Sequence, residues 1–272
     1  MLDTTFSTYQ RSRGTARVSL KASGQIETLY QAGSAKAMIP RSHGPCPEVV
    51  FLNTSGGLTG GDRLEFQLKV SDEATALAAT QTAERAYASP GGAPAKVKVD
   101  ITVGKRATVF WLPQETILFD RSALDRETTV HLGEGARFLG IETIVLGRAH
   151  MGERVQRLEF RDVRRMFDSV GSPLHAEQIA LDVDVLKRRA DPVSFQNATV
   201  FSTVTYLGPD ASDKLSTVRG LLDASDTGLA VSGWDNRLII RALGEDSWSL
   251  RAALVPALKY LTNGPLPRVW QL

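Results

Sequence analysis

Residues 52–64 read LNTSGGLTGGDRL, in which two glycine pairs are followed directly by the carboxylate of Asp62. Glycine adopts φ > 0 without a steric cost, so this pattern predicts a tight double turn. Residues 48–52, on one side, form a short apolar run. Residues 64–70, on the other side, alternate apolar and polar side chains with the period of a half-buried strand. We therefore predict that the glycine stretch joins two strands.

The glycine stretch does not match a phosphate-binding loop. A P-loop requires Lys-Ser or Lys-Thr after its glycines, and the carboxylate of Asp62 would repel phosphate. The dinucleotide fingerprint requires G-x-G at the start of a helix, and the stretch contains neither feature. Two interpretations of the stretch remain. It is either a plain connection without a catalytic or binding role, or the signature of a protein family.

The rest of the chain indicates a mainly β fold. From residue 16 onward, short strand-like segments alternate with turn signals every eight to twelve residues, which is typical of all-β proteins. The connections are too short for crossover helices, which argues against a parallel α/β fold. Segments 212–224 and 247–261 carry leucines on one helical face and predict two helices, the last near the C-terminus and kinked at Pro256. No linker composition appears, so we expect one domain over residues 1–272.

Composition limits the classes of partner and compartment. The 272 residues are 42% hydrophobic and 23% charged, with a net charge of +2. This charge balance gives no reason to expect nucleic acid or an anionic membrane as a partner. The first residues lack a secretory signal, no apolar run has the length of a membrane span, and Cys46 is the single cysteine. These features favour the cytoplasm.

Side chains that bind metals are scattered along the sequence. The histidines form no H-E-x-x-H pair, and a single cysteine excludes a Cys-x-x-Cys motif, so no local zinc or catalytic metal site is encoded. His43 and Cys46 lie three positions apart in a loop and form a weak candidate pair of metal ligands. The alternative is an ordinary turn before a strand with a packed thiol, because cysteine is often buried.

Several carboxylates are flanked by small or apolar residues. An ionised carboxylate in such surroundings is costly unless it is paired with a cation, a hydrogen-bond donor or a metal. The candidates are Asp62, Glu84, Glu142 and Glu177. Pairing with arginine and contact with a metal ion both remain open at this point.

Five segments in the same order resemble the UreD family of urease accessory proteins, called UreH in some organisms. They are SGGLTGGDRL (55–64), TQTAERAY (80–87), WLPQETILF (111–119), ETIVLGRAHMGE (142–153) and PRVW (267–270). The resemblance extends from about Cys46 to the C-terminus. One departure is Asn53-Thr54-Ser55, where the family often has a proline before the glycines, which puts the rigidity of the loop in question.

The resemblance implies a fold and a function. UreD-like proteins have strands in two packed layers and few helices. They dock on the urease apoprotein and act with UreF and the GTPase UreG to deliver nickel, and an internal polar passage has been proposed as the route. The resemblance thus implies a scaffold or chaperone without enzymatic activity or a tightly bound cofactor, and with transient nickel(II). It makes Asp62, Glu84, Glu142 and Glu177 candidates for the passage, since carboxylates bind nickel.

By the same resemblance, the C-terminal arm with Arg268 and Trp270 is a candidate contact for UreF. An aromatic residue at this position can instead be docked on its own domain.

Two other classes of function remain as alternatives. A β-sandwich module that binds sugar or peptide would use Trp111, Trp234 and Trp248 as stacking surfaces, and would require exposed, coplanar aromatic rings. A glycosidase would require two carboxylates facing each other across a cleft, and the sequence gives no sign of such a pair.

Overall fold

The computed structural model describes residues 11–41, 44–148, 152–222, 228–264 and 266–270. In this part of the chain, strands greatly outnumber helices, and they form two packed sheets. The predicted mainly β class is therefore confirmed. None of the described helices is long and apolar enough to cross a membrane.

The first sheet has seven strands. They are β1 (Arg13–Leu20), β2 (Ile26–Gly33), β5 (Arg63–Val70), β8 (Ala95–Val103), β11 (Ala123–Leu132), β13 (Glu159–Phe167) and β14 (Pro173–Leu181). Their order across the sheet is β14-β13-β11-β8-β5-β1-β2. In β5, β8 and β11, buried and exposed residues alternate strictly enough to give one face to the core.

The second sheet has ten strands. They are β3 (Ala35–Met38), β4 (Glu48–Asn53), β6 (Thr75–Thr80), β7 (Glu84–Ala86), β9 (Thr108–Trp111), β10 (Thr116–Leu118), β12 (Arg137–Leu146), β15 (Val200–Leu207), β16 (Gly228–Trp234) and β17 (Arg237–Gly244). The main order is β16-β17-β15-β12-β9-β6-β4-β3, with β10 between β12 and β7.

The chain alternates between the two sheets. Strands β5, β8, β11 and β13 are parallel neighbours in one sheet, and β4, β6, β9 and β12 are parallel neighbours in the other. Parallel neighbours need a crossover connection, and here each crossover contains a strand of the opposite sheet instead of a helix. The short connections thus exclude an α/β fold, as predicted, but they do not exclude parallel pairing.

The glycine stretch is one of these crossings. It leaves β4 in the ten-stranded sheet and enters β5 in the seven-stranded sheet, so the prediction that it joins two strands is confirmed. Midway, Leu58 is buried and its N–H donates to the carbonyl of Arg85 at 2.7 Å, while the N–H of Tyr87 donates to the carbonyl of Leu58 at 2.8 Å. These bonds hold the loop against the segment that carries Glu84.

Replacing Gly57 by alanine is expected to lower the free energy of unfolding by more than about 2 kcal/mol. Gly57 has φ of +148°, and a Cβ atom there would overlap the ring of Tyr87 and lie 2.8 Å from the carbonyl oxygen of Arg85. Gly56, with φ of +77°, has no atom within 4 Å of such a Cβ. The control Gly56→Ala should therefore cost only about 1 kcal/mol. Urea denaturation of both variants checks this, and equal losses would contradict it.

Three α-helices and a short 3₁₀ helix at Arg268–Trp270 complete the described fold; the α-helices are α1 (Val183–Lys187), α2 (Ala211–Leu222) and α3 (Ser247–Thr262). The helices α2 and α3 correspond to the two predicted ones, and α3 continues through Pro256. Together they pack on the outer face of the ten-stranded sheet and close a second core, separate from the core between the sheets. The helix α1 directly follows the strand β14. That strand ends at Leu181 because the Asp182 carboxylate accepts hydrogen bonds from the N–H groups of Asp184 and Val185, which starts a helix.

Candidate functional site

A line of alternating charges lies between the two sheets. In order, it consists of Glu142, Arg126, Asp162, Arg164, Glu177 and Arg241, which we call the interior charge chain. It begins on β12 of the ten-stranded sheet, crosses to β11, β13 and β14 of the seven-stranded sheet, and returns at β17. Three negative and three positive side chains balance its charge. Two predicted carboxylates, Glu142 and Glu177, belong to it.

Asp162 is the centre of the interior charge chain and has no exposed surface. Arg126 Nε and Nη2 donate to its two oxygens at 2.9 and 3.0 Å, and Arg164 Nε lies 3.2 Å from Oδ2. Burial alone would raise the pKa of Asp162, but the neighbouring guanidinium of Arg126 outweighs it and holds this pKa below its ordinary value. Asp162 is therefore ionised and paired.

Glu142 faces the inner core from β12 and is 8% exposed. Arg126 Nη1 lies 2.8 Å from its Oε2, and Trp111 Nε1 donates to its Oε1 at 3.3 Å. Burial raises the pKa of Glu142, and these two partners offset only part of that effect. Arg126 Nη1 also donates to Thr116 Oγ1 at 3.0 Å, so this guanidinium spans both sheets.

Arg126, Asp162 and Arg164 were not predicted as site residues, although the sequence carries a signal for them. In β13, the inward positions Phe160 and Met166 have the same parity as Asp162 and Arg164. Side chains alternate between the two faces of a strand. If Phe160 and Met166 face the core, Asp162 and Arg164 therefore face it too. Arg126 likewise shares the parity of Leu124 and Val130 in β11.

Glu84 connects the interior to the glycine stretch. It lines a cavity of about 50 Å³ together with Glu142, Arg126 and Thr116. It also lines a second cavity of about 60 Å³ whose wall includes Gly56. Cavities of this size hold water molecules or a small ion, and they are too small for a sugar ring. Burial raises the pKa of Glu84, partly offset by hydrogen bonds from the Arg85 N–H and the Asn53 amide.

Asp62 lies apart from this group and contacts backbone. Its Oδ1 accepts from the N–H of Ser12 at 2.7 Å, and its Oδ2 accepts from the N–H of Thr59 at 2.8 Å. The buried carboxylate thus closes the glycine turn and fastens the segment before β1. A metal role for Asp62 stays a prediction, and this geometry gives it a structural role.

Glu177 lies at the other end of the interior charge chain, near the surface. Arg164 Nη2 lies 3.2 Å from its Oε2, and Arg241 Nη2 donates to its Oε1 at 2.9 Å. His175, two positions earlier on β14, is buried, and its Nε2 has no hydrogen-bond partner among the described residues. Burial lowers the pKa of His175, which keeps the imidazole neutral.

The structure gives little support to His43 and Cys46 as a pair of metal ligands. His43 lies outside the described residues. Cys46 is half-buried, and burial raises the pKa of its thiol, with a further contribution from the charge of Glu48. A thiol with a raised pKa is a poorer metal ligand, because the thiolate is the form that binds. Within the described ranges, no group of three or more histidine, cysteine, aspartate or glutamate side chains is arranged to hold a metal ion.

The C-terminal arm is docked on the body. Trp270 is 6% exposed, its Nε1 donates to the carbonyl of Leu112 at 2.8 Å, and the Arg251 guanidinium lies 4.2 Å above its ring. Of the two interpretations, the burial of the ring favours docking on its own domain, and a contact of Trp270 with UreF stays a prediction. Arg268 is exposed and remains a predicted contact.

The tryptophans do not form a shared stacking platform. Trp111 is 3% exposed and contacts Glu142, so it cannot present a face to a sugar. Trp234 and Trp248 are exposed at 42% and 59%, but they lie on different elements, β16 and α3, and no ring contact joins them in the described part of the chain. The coplanar pair required by the sugar-binding alternative is therefore not found among these residues.

Comparison with known proteins connects this arrangement to a family. The family model described as UreD urease accessory protein matches residues 12–271. A urease accessory protein UreD from Cereibacter sphaeroides (strain ATCC 17025) is 46% identical over 96% of each chain. Its namesakes from Paracoccus denitrificans and from Jannaschia sp. (strain CCS1) are 44% identical over 97% of this chain and 93% of theirs, and 43% identical over the whole of both. The chain therefore belongs to the UreD family of urease accessory proteins, and its role lies in urease maturation.

Proposed function

We propose that this protein is a non-catalytic scaffold that docks on the urease apoprotein in the cytoplasm and, with UreF and UreG, delivers nickel to the urease active site. In this proposal nickel(II) is cargo that passes through the protein and is not retained. The observation that carries it is the series of interior carboxylates between the two sheets. Nickel is a borderline divalent ion that accepts carboxylate and imidazole ligands.

The carboxylates of this series follow one another across the molecule. Glu84 lies below the glycine stretch, Glu142 shares its cavity, and Asp162 and Glu177 follow along the interior charge chain. Arg241, the last member, has 58% of its side chain exposed. The series therefore extends from the exposed glycine loop at one end to an exposed guanidinium at the other.

The arginines explain why such a series suits transfer better than storage. Arg126 and Arg164 occupy the space between the carboxylates and balance their charge in the absence of metal. A divalent ion can bind there only by displacing a guanidinium, which limits its affinity at each position. A conduit needs weak, incomplete ligand sets so that the ion can leave again.

Production of urease in cells with and without this chain tests the proposal. With an affinity-tagged chain, we expect UreF, UreG and the urease apoprotein to co-purify, and nickel per urease to be high only when the chain is present. Nickel is measured by elemental analysis of purified urease, which does not depend on activity. Full nickel occupancy without the chain, or purification of the chain free of all three partners, would reject the proposal.

A further inference from the structure

Strands β6 and β9 make few contacts with helices α2 and α3, which pack on β12, β15, β16 and β17. Leu77 of β6 and Phe110 of β9 are nevertheless buried in the same apolar core as the helices. A groove of about 1130 Å³ lies beside these two strands. Its apolar lining includes the largely buried Leu77 and Phe110, and further lining residues come from the C-terminal end of α3 and from the segment before and at the start of β4.

The rim of the groove is positively charged. Four basic side chains and two acidic ones line it. Arg137 Nε and Lys214 Nζ share the carboxylate of Asp210, at 3.2 and 3.4 Å. No ion pair within 4.0 Å joins Arg41 or Arg268 to any other described side chain. Two exposed guanidinium groups therefore remain available to an acidic occupant.

Glu48 gives the groove a second polar feature. Its carboxylate is buried, and its Oε1 has no hydrogen-bond partner among the described residues. Burial raises the pKa of Glu48, and a hydrogen bond from the backbone of Arg268 together with the charge of Arg268 opposes this. A buried acceptor without a donor costs free energy. Glu48 Oε1 is not exposed to the groove, so an N–H group of an occupant would satisfy it only after the side chain rotates toward the groove. Peptide backbones and amide side chains carry such groups.

We propose that this groove docks an acidic, amphipathic peptide segment of a partner protein in urease maturation. A groove of about 1130 Å³ is large enough to hold several residues of a peptide. Its apolar lining matches the apolar side of such a segment, and its basic lining residues match the acidic side chains. This inference rests on the proposed function, because the partner is one of the proteins named there.

Charge reversal on the rim tests the inference. The variant Arg41→Glu/Arg268→Glu is compared with the control Lys21→Glu/Lys69→Glu, which makes the same charge change beside β1 and on β5 of the other sheet. The affinity of each variant for purified UreF, UreG and urease apoprotein is measured separately. We expect the groove variant to bind one of these partners at least about ten-fold more weakly and the control to bind all of them normally.

A photo-crosslinking amino acid at Thr75, an exposed lining residue, then identifies the occupant. We expect a cross-link to an acidic segment with interspersed apolar residues in the partner whose binding was weakened. The inference is overturned if both variants bind alike, or if the cross-linked segment is basic. It is also overturned if the groove variant changes only the oligomeric state of the chain, or only its binding of inorganic phosphate. Failure of the proposed function gives a different result, since the unmodified chain then binds none of the three proteins.

Discussion

Replacing Asp162 by asparagine is expected to lower the free energy of unfolding by about 3–5 kcal/mol. The amide keeps the shape of the side chain but removes the charge that both Arg126 and Arg164 require in a fully buried position. Two guanidinium groups would then remain in the interior with too few acceptors. Because domains are stable by only about 5–15 kcal/mol, most of this variant should be insoluble or unfolded. Soluble yield and urea denaturation followed by tryptophan fluorescence measure the loss.

The neighbouring pair Asp125 and Arg161 offers a matched control. These residues face each other across the same two strands, β11 and β13, with Arg161 Nη1 at 3.1 Å from Asp125 Oδ1. Their side chains are 31% and 49% exposed, so water replaces whatever is lost. Asp125→Asn should therefore cost no more than about 1 kcal/mol. A loss as large as that of Asp162→Asn would show that burial does not determine the difference.

The variant Glu142→Gln should reduce nickel in urease by about ten-fold without loss of the folded protein. Arg126 retains both oxygens of Asp162, and the glutamine carbonyl can still accept from Arg126 Nη1. The glutamine NH2 group then faces Trp111 Nε1, so this hydrogen bond is lost at a cost of about 1–3 kcal/mol. The cavity shared with Glu84 also loses a charge that attracts a divalent ion. Nickel per urease and pull-down of UreF, UreG and apoprotein are measured on the same cells.

Two variants delimit this result. Glu127→Gln removes an exposed carboxylate from β11, paired with Arg165 on the solvent side, and should leave the nickel content unchanged. Asp62→Asn should destabilise the turn by about 1–3 kcal/mol, because one of two backbone N–H groups loses its acceptor. A fall in nickel per assembled complex with this variant would support the predicted metal role of Asp62. Normal nickel with Glu142→Gln, or a nickel loss with Glu127→Gln, would remove Glu142 from the proposed route.

The sequence indicated that some of the charged residues lie in the interior, but it said much less about which residues they contact. Glu142 was recognised as interior because it follows Ile141 in an apolar strand, and the structure buries it. Its partner Arg126 comes from the opposite sheet, and no local pattern specifies that contact. Asp62 was recognised as an interior acid too, but its acceptor role depends on the N–H of Ser12, fifty positions earlier. Such pairings are set by tertiary packing, which periodicity alone does not encode.

The parallel arrangement of the strands was not expected for a similar reason. Short connections usually join antiparallel strands of one sheet in a hairpin. Here the chain alternates between two layers, so a short connection does not indicate antiparallel pairing. The glycine stretch predicted a turn between strands correctly. It did not indicate that β4 and β5 belong to different sheets, because the sequences before and after the turn would show the same strand patterns in a hairpin.

This alternation also constrains how the chain folds during synthesis. Neither sheet is encoded by a continuous segment, so a strand such as β5 leaves the ribosome before its neighbour β8, with β6 and β7 made in between. Neither sheet can be completed before strands of the other sheet have been made, and pairing between distant segments is slow to form. Until β13 and β14 are made, Arg126 lacks Asp162 and the edges of both layers stay open. The nascent protein is thus exposed to aggregation over most of its length, and early binding of a folding partner would shorten that period.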